Sequence, residues 1–238
     1  MNGVLSKANV FEGQEKIMRR IATMVVFLAM GVCSIPVGAT ERFEHTRVVL
    51  ERNVTDNDTE IVFKATTPED GLTSLKVTAP DGRVVVDFKA PTSKLGIRQL
   101  TFESPEPRKA GAVQADFPAG VYTFSGRTTS GAQLGGRATL SHVFPDPTAV
   151  IYPQPNAAGI AFNGFQVKWK PIPALAACIV VIEDEASGLE IRSDLPGNAT
   201  TFEVPGGVLK PGTEYKLAIG TVAKTGNTSY IETVFTTK

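Results

Sequence analysis

Apolar and polar residues alternate along most of this chain in short runs, and each run is stopped within a few residues by Gly, Pro or an Asn/Asp cluster. A two-residue period sends successive side chains to opposite faces of an extended strand, and the stops are turn chemistry. The pattern therefore selects short strands joined by tight turns and leaves little room for long helices. Gly 22, Pro 16 and a wealth of Val and Thr agree with it, since β-branched residues suit a pleated surface. The expected class is all-β.

Arg47–Glu51 and Glu60–Lys64 alternate on either side of a polar tip, Asn53–Thr59. Ser74–Thr78 and Arg83–Phe88 bracket Pro80-Asp81-Gly82, where glycine supplies the positive φ of a tight turn. Ile97–Glu103 alternates again until Ser104-Pro105-Glu106-Pro107 stops it, and Gly120–Gly126 and Arg137–Phe144 face each other across a Gly- and Ser-rich loop. These runs, about seven by the two-residue period, predict an immunoglobulin-like or jelly-roll-like sandwich over residues 40–146. Pro145-Asp146-Pro147 and Pro153-Gln154-Pro155-Asn156 then interrupt the pattern. Proline cannot donate to a central ladder, so a second domain is expected over 147–238. No internal repeat is visible between the halves.

From Thr148 onward the residues resemble fibronectin type III domains. Phe165-Gln166-Val167-Lys168-Trp169-Lys170-Pro171 is similar to that family's second strand, with its buried Trp, and Leu209–Ile219 is similar to the sixth, with Tyr215 at the tyrosine corner. The resemblance implies a sandwich in which Trp169 and Tyr215 hold the core and the Tyr215 hydroxyl bonds the turn upstream. Period two places Tyr215, Leu217 and Ile219 on one face, expected to meet Trp169, Ile179 and Val181. The paired layout is similar to that of exported bacterial proteins carrying such a domain. An Arg-Gly-Asp tripeptide is absent, so integrin-type adhesion is not implied.

Residues 18–39 combine Arg19 and Arg20, an apolar stretch from Ile21 to Val32, and small residues at Gly38 and Ala39. That is the build of a signal peptide, with translation expected from Met18, residues 1–17 an overlong start, and cleavage before Thr40. The apolar stretch is short for a ~30 Å hydrocarbon core, and the mature chain has no second candidate span. A lipid on Cys33 is disfavoured by the bulky Val32 before it. Four of the 24 basic and two of the 24 acidic residues lie before Thr40, leaving the mature chain at −2. No Lys/Arg block offers a footprint for nucleic acid. Cys178, the one mature cysteine, sits in the apolar run Ala176–Val181 and is expected to be a buried small hydrophobe. The predicted location is the periplasm or the exterior.

Catalytic handles are missing. The mature chain has only His45 and His142 and lacks a Gly-x-Ser-x-Gly elbow, a His-Glu-x-x-His pair and a phosphate-binding loop. Glu183-Asp184-Glu185, three consecutive acids in a strand, should point alternately and mark a solvated edge or turn. Asp56, Asp58 and Glu60 place hard oxygen donors at alternate positions of a loop tip and are candidate calcium ligands, without the full EF-hand spacing; no other cofactor is expected. Asn53, Asn57, Asn198 and Asn227 begin Asn-x-Ser/Thr triplets.

Two functions are compatible with this. The first is an exported non-catalytic binding or scaffold protein, whose partner is a protein or another envelope or extracellular component. The alternative is a carbohydrate-binding accessory or hydrolase-associated module, which needs exposed rings; its candidates are Tyr122, Tyr152, Phe162 and Tyr230.

Overall fold

Gly82 adopts φ 86, its N–H donates to the Ala79 carbonyl, and the Arg83 N–H donates to Asp81 Oδ1 at 3.0 Å. The turn so closed joins β4 (Leu72–Thr78) to β5 (Val84–Lys89). Local chemistry of this kind builds the rest of the fold as seen in a computed structural model, which describes residues 40–238 except 91, 93 and 107. The expected start site, signal peptide and Cys33 lie outside the described residues.

In the first half, β1 (Glu41–Arg42), β2 (His45–Asn53), β3 (Asp58–Thr66), β4 and β5 are followed by β6 (Gln99–Glu103), the short helix α1 (Ala110–Asp116), β7 (Gly120–Thr128) and β8 (Gln133–Leu140). The second half contains β9 (Val150–Tyr152), β10 (Ala157–Ile160), β11 (Phe165–Trp169), β12 (Ala177–Asp184), β13 (Leu189–Pro196), β14 (Thr201–Val204), β15 (Glu214–Val222) and β16 (Thr228–Thr237). Helix α1 was not visible in the alternation. It buries a single side chain, Val113, too little to write a helical period.

Sheet order exposes a repeat that the residues hide. β2-β3-β6 faces β5-β4-β7-β8 in the first half, and β9-β11-β14 faces β13-β12-β15-β16 in the second. In each half a short strand also pairs parallel with the last one, β1 with β8 and β10 with β16. The second half thus has the strand order of a fibronectin type III sandwich, and the first repeats it. Pro153–Asn156 carry the chain from β9 in one sheet to β10 in the other, inside the second sandwich.

Each sandwich has a tyrosine tied to the turn before its strand. The Tyr215 hydroxyl accepts the Lys210 N–H at 2.8 Å, and Tyr122 donates its hydroxyl to the Pro118 carbonyl at 3.1 Å. Both rings are fully buried, where a phenol must find a partner. The first core gathers Leu50, Phe63, Leu75, Tyr122 and Phe124, and the second gathers Val167, Trp169, Tyr215, Leu217 and Phe235.

One expected pairing is off by a residue. Cys178, Val180 and Ile182 face Trp169 and Tyr215 in the core, whereas Ile179 and Val181 join Ala218 and Val222 on the opposite face of the sheet. The run is apolar at every position, so its alternation carries no phase. The Cys178 thiol is buried and pushed up by desolvation, as a small core hydrophobe would be.

A single sheet passes through both halves, because β16 pairs parallel with β2 at Thr228↔Glu51, Ser229↔Arg52 and Tyr230↔Asn53. Asn227 bolts this seam: its Oδ1 accepts the Leu50 N–H, and its Nδ2 donates to the carbonyls of Ser141 at 2.8 Å and Val143 at 2.9 Å. Arg52 donates to Ser229 Oγ and to the Pro145 carbonyl, with its guanidinium 4.6 Å from the centre of the Phe144 ring. This explains a second departure from the sequence reading, in which 141–144 continue a strand. The structure ends β8 at Leu140, because the carbonyls of Ser141, Val143 and Pro145 serve side chains across the seam.

Candidate functional site

The β2–β3 hairpin projects past the seam. Val54 N–H donates to the Tyr230 carbonyl, and Thr55 Oγ1 accepts the Glu232 N–H at 2.8 Å. The hairpin therefore stands beside the outer face of β12, β15 and β16, and a groove of about 320 Å³ opens between them. Glu51, Asp56, Asp58, Glu60 and Glu106 line it from the first half, and Glu183, Glu190 and Glu232 from the second. Only Arg52, Arg192 and Lys216 answer them. Lys216 is already committed to Glu232 at 2.8 Å, and Arg52 to the seam, so the groove is electronegative.

Register explains how closely those acids are crowded. Glu51 and Glu60 are directly opposed on β2 and β3, a like-charge pair that a sheet ordinarily avoids. Burial first, then Glu103, Glu106, Glu51 and Asp58, pushes the Glu60 carboxyl up to about 8, so it holds a proton at neutral pH. Burial likewise raises Glu106, with Asp58 adding to it. At the groove's other wall, Tyr230 lies flat on its cross-strand partner Gly220, where a Cβ would come within 2.6 Å of the ring. Burial pushes its phenol up to about 12.

The three expected calcium ligands, Asp56, Asp58 and Glu60, all line this groove but point differently. Asp56 sits on the exposed tip and accepts Asn53 Nδ2 at 2.8 Å. Asp58 turns inward, its Oδ1 taking the N–H groups of Thr59 at 2.7 Å and Arg108 at 2.6 Å. Glu60 faces the groove. Among the described residues no three His, Cys, Asp or Glu side chains converge to hold a metal ion.

The remaining sequence candidates lie apart. Glu183 enters the groove while Asp184 turns back to accept the Ala186 N–H and the Ser187 hydroxyl, as alternation requires. His142 Nε2 is 2.8 Å from the Phe117 carbonyl, off any strand. The groove is lined by carboxylates, three cations, the Asn53 amide and the Tyr230 phenol, all able to form ion pairs or hydrogen bonds. Of the proposed sugar-stacking rings, Tyr122 is buried in the first core, while Tyr152 and Phe162 are just over one-third exposed, at 38 % and 36 %. Tyr152 leans edge-on against core residue Phe165. Asn227 is fully buried, so its triplet is structural. Sequence reasoning missed Glu51, Glu106, Glu190 and Glu232, which no local spacing connects.

No protein-family model matches the chain, and no curated protein matches it. Among solved structures it is similar to a two-domain fibronectin type III segment of chicken tenascin, at 13 % identity and a TM-score of 0.32, covering 83 % of this chain and 100 % of that one. Fibronectin(III)-like modules of Clostridium thermocellum CbhA align at 9 % identity and TM-score 0.32, over 86 % and 92 % of the two chains. Chicken CNTN1 FN1–FN3 domains align at 12 % and 0.34, over 84 % and 65 %. Among the described residues no helix is long and apolar enough to cross a membrane.

Proposed function

We propose that this protein is an exported, non-catalytic binding or scaffold protein whose partner is a basic segment of another protein. The observation that carries the reading is the groove: its acids come from both sandwiches, and the seam at Asn227 and Arg52 fixes their spacing. A rigid, preorganised surface loses little entropy on binding, and a field of one sign speeds encounter with the opposite sign. Export is supported by the three-part build of residues 18–39.

Two measurements test the proposal. Mass spectrometry of the mature chain should find its N-terminus at or near Thr40; an intact apolar segment held in a membrane fraction would overturn export. In cross-linking on native envelopes, one protein should couple to the wild type and be lost from a Glu183→Lys/Glu190→Lys variant. Equal coupling by both forms would remove the groove from the mechanism.

A further inference from the structure

A second surface, on the far edge of the first sandwich, is independent of the groove. β5 pairs only with β4, and β6 only with β3, among the described strands. A cleft of about 390 Å³ opens between these two free edges, floored by Ile61 and Phe63 and flanked by Val85, Phe88, Phe102 and Phe117. The rings of Phe88 and Phe102 meet across it at 6.3 Å.

The free main-chain groups of both edges can be placed. Ser104 N–H bonds the Ile61 carbonyl and Thr67 N–H bonds the Arg98 carbonyl, in the register Phe63↔Phe102 and Ala65↔Leu100. Antiparallel ladders bond every second residue, so Arg98, Leu100, Phe102 and Ser104 face β3. Gln99, Thr101 and Glu103 turn their N–H and C=O groups outward. By the same rule Ala90, bonded to Thr73, sets Asp87 and Lys89 outward on β5. A register shift opposite Val77 and Thr78 leaves Val85 unpaired between Val84 and Val86. That is a bulge, which twists an edge and re-aims a side chain. In the second half the matching strand, β13, pairs with β12 over all eight residues without a shift.

The geometry points to capture of an extended strand from a partner protein, added to β6 so that its alternate apolar side chains fill the cleft beside the Phe88–Phe102 pair. Main-chain bonds would supply affinity and the cleft would supply selectivity. Asp87 and Glu103 stand on the rim, so the outward residues of the incoming strand are basic. This rests on the reading of the chain as a binding protein, but on none of the groove residues.

The probe is a labelled seven-residue peptide of alternating Lys and Val, titrated against the full chain, with alternating Lys-Ser and Glu-Val peptides beside it. The Lys-Val peptide should bind saturably and at least tenfold tighter than either control, and should slow hydrogen exchange at the amides of Thr101 and Glu103. Thr101→Pro removes one outward donor without touching the ladder to β3, and should weaken binding about tenfold or more at an unchanged melting temperature. Glu203→Lys, exposed on β14 and outside both the cleft and the groove, should leave it unaltered. Equal binding of the Lys-Ser peptide, or unchanged exchange at Thr101 in the wild type, would overturn the inference without reference to any variant. So would self-association of the chain that Thr101→Pro abolishes, since it assigns the edge to a second copy. Equal coupling of the envelope partner by wild type and Glu183→Lys/Glu190→Lys, with peptide binding intact, removes the groove reading alone; loss of the partner from that variant with no binding of the Lys-Val peptide removes this one.

Discussion

The side chain of Asn227 accepts the main-chain N–H of Leu50 at 3.0 Å across 177 residues of sequence, and with its two further bonds to Ser141 and Val143 it is fully engaged inside the seam. Truncating it strands one buried donor and two acceptors. Asn227→Ala should cost about 2–4 kcal/mol in urea melts of the full chain, since each orphaned group carries about 1–3 kcal/mol, part of which water recovers. A change within about 0.5 kcal/mol, as at ordinary surface sites, would show that the seam does not depend on it.

The same burial decides modification. Asn57 and Asn198 are exposed, whereas Asn227 is fully buried and both protons of its Nδ2 are already donated. Expressed in a glycosylating host, the folded chain should carry glycan at Asn57 or Asn198 and none at Asn227. Peptide mapping that finds Asn227 occupied in folded, secreted protein would contradict the seam.

Glu60 should make stability fall with rising pH. Its folded pKa of about 8 lies above its ordinary 4.5, so the folded state holds the proton more tightly than the unfolded chain. The resulting stabilisation is complete below the unfolded pKa and disappears as pH climbs through about 8. Melting temperature should therefore decline between pH 5 and pH 9, and Glu60→Gln should flatten that decline and raise the melting temperature at pH 9. Parallel curves for the variant and the wild type would place the titration elsewhere.

The two tyrosine corners give a matched pair of tests. Tyr215→Phe and Tyr122→Phe each remove one hydroxyl hydrogen bond and should each cost about 1–1.5 kcal/mol. Trp169 is different, because its indole Nε1 has no nitrogen or oxygen partner and the side chain acts by filling the core. Trp169→Ala should cost ~3–5 kcal/mol as cavity and lost burial. Denaturant titration of the full-length variants checks all three.

Local chemistry made several of these features readable in advance. The turn at Gly82, the β2–β3 hairpin and the Pro211-Gly212 turn before Tyr215 each lie within a few residues, so spacing was enough. The phase of β12 was not readable, because Ala177–Ile182 is apolar on both faces. The acidic tip was visible, yet its partners in the groove were not: Glu51 and Glu60 oppose each other only once the β2–β3 register is set, and Glu183 and Glu190 arrive from the other sandwich.

By itself the sequence determined that this is an all-β chain with a fibronectin-like second half cored by Trp169 and Tyr215, because alternation, turn residues and one aromatic pair act over short separations. Only tertiary structure decided the repeat of strand order in the first half, the single sheet through both sandwiches, and the groove and open edge. Strand order is a property of which edges meet, and different side chains can satisfy it. The choice of Asn227 as a bolt depends on three main-chain groups, from Leu50, Ser141 and Val143, that converge only after both sandwiches have formed.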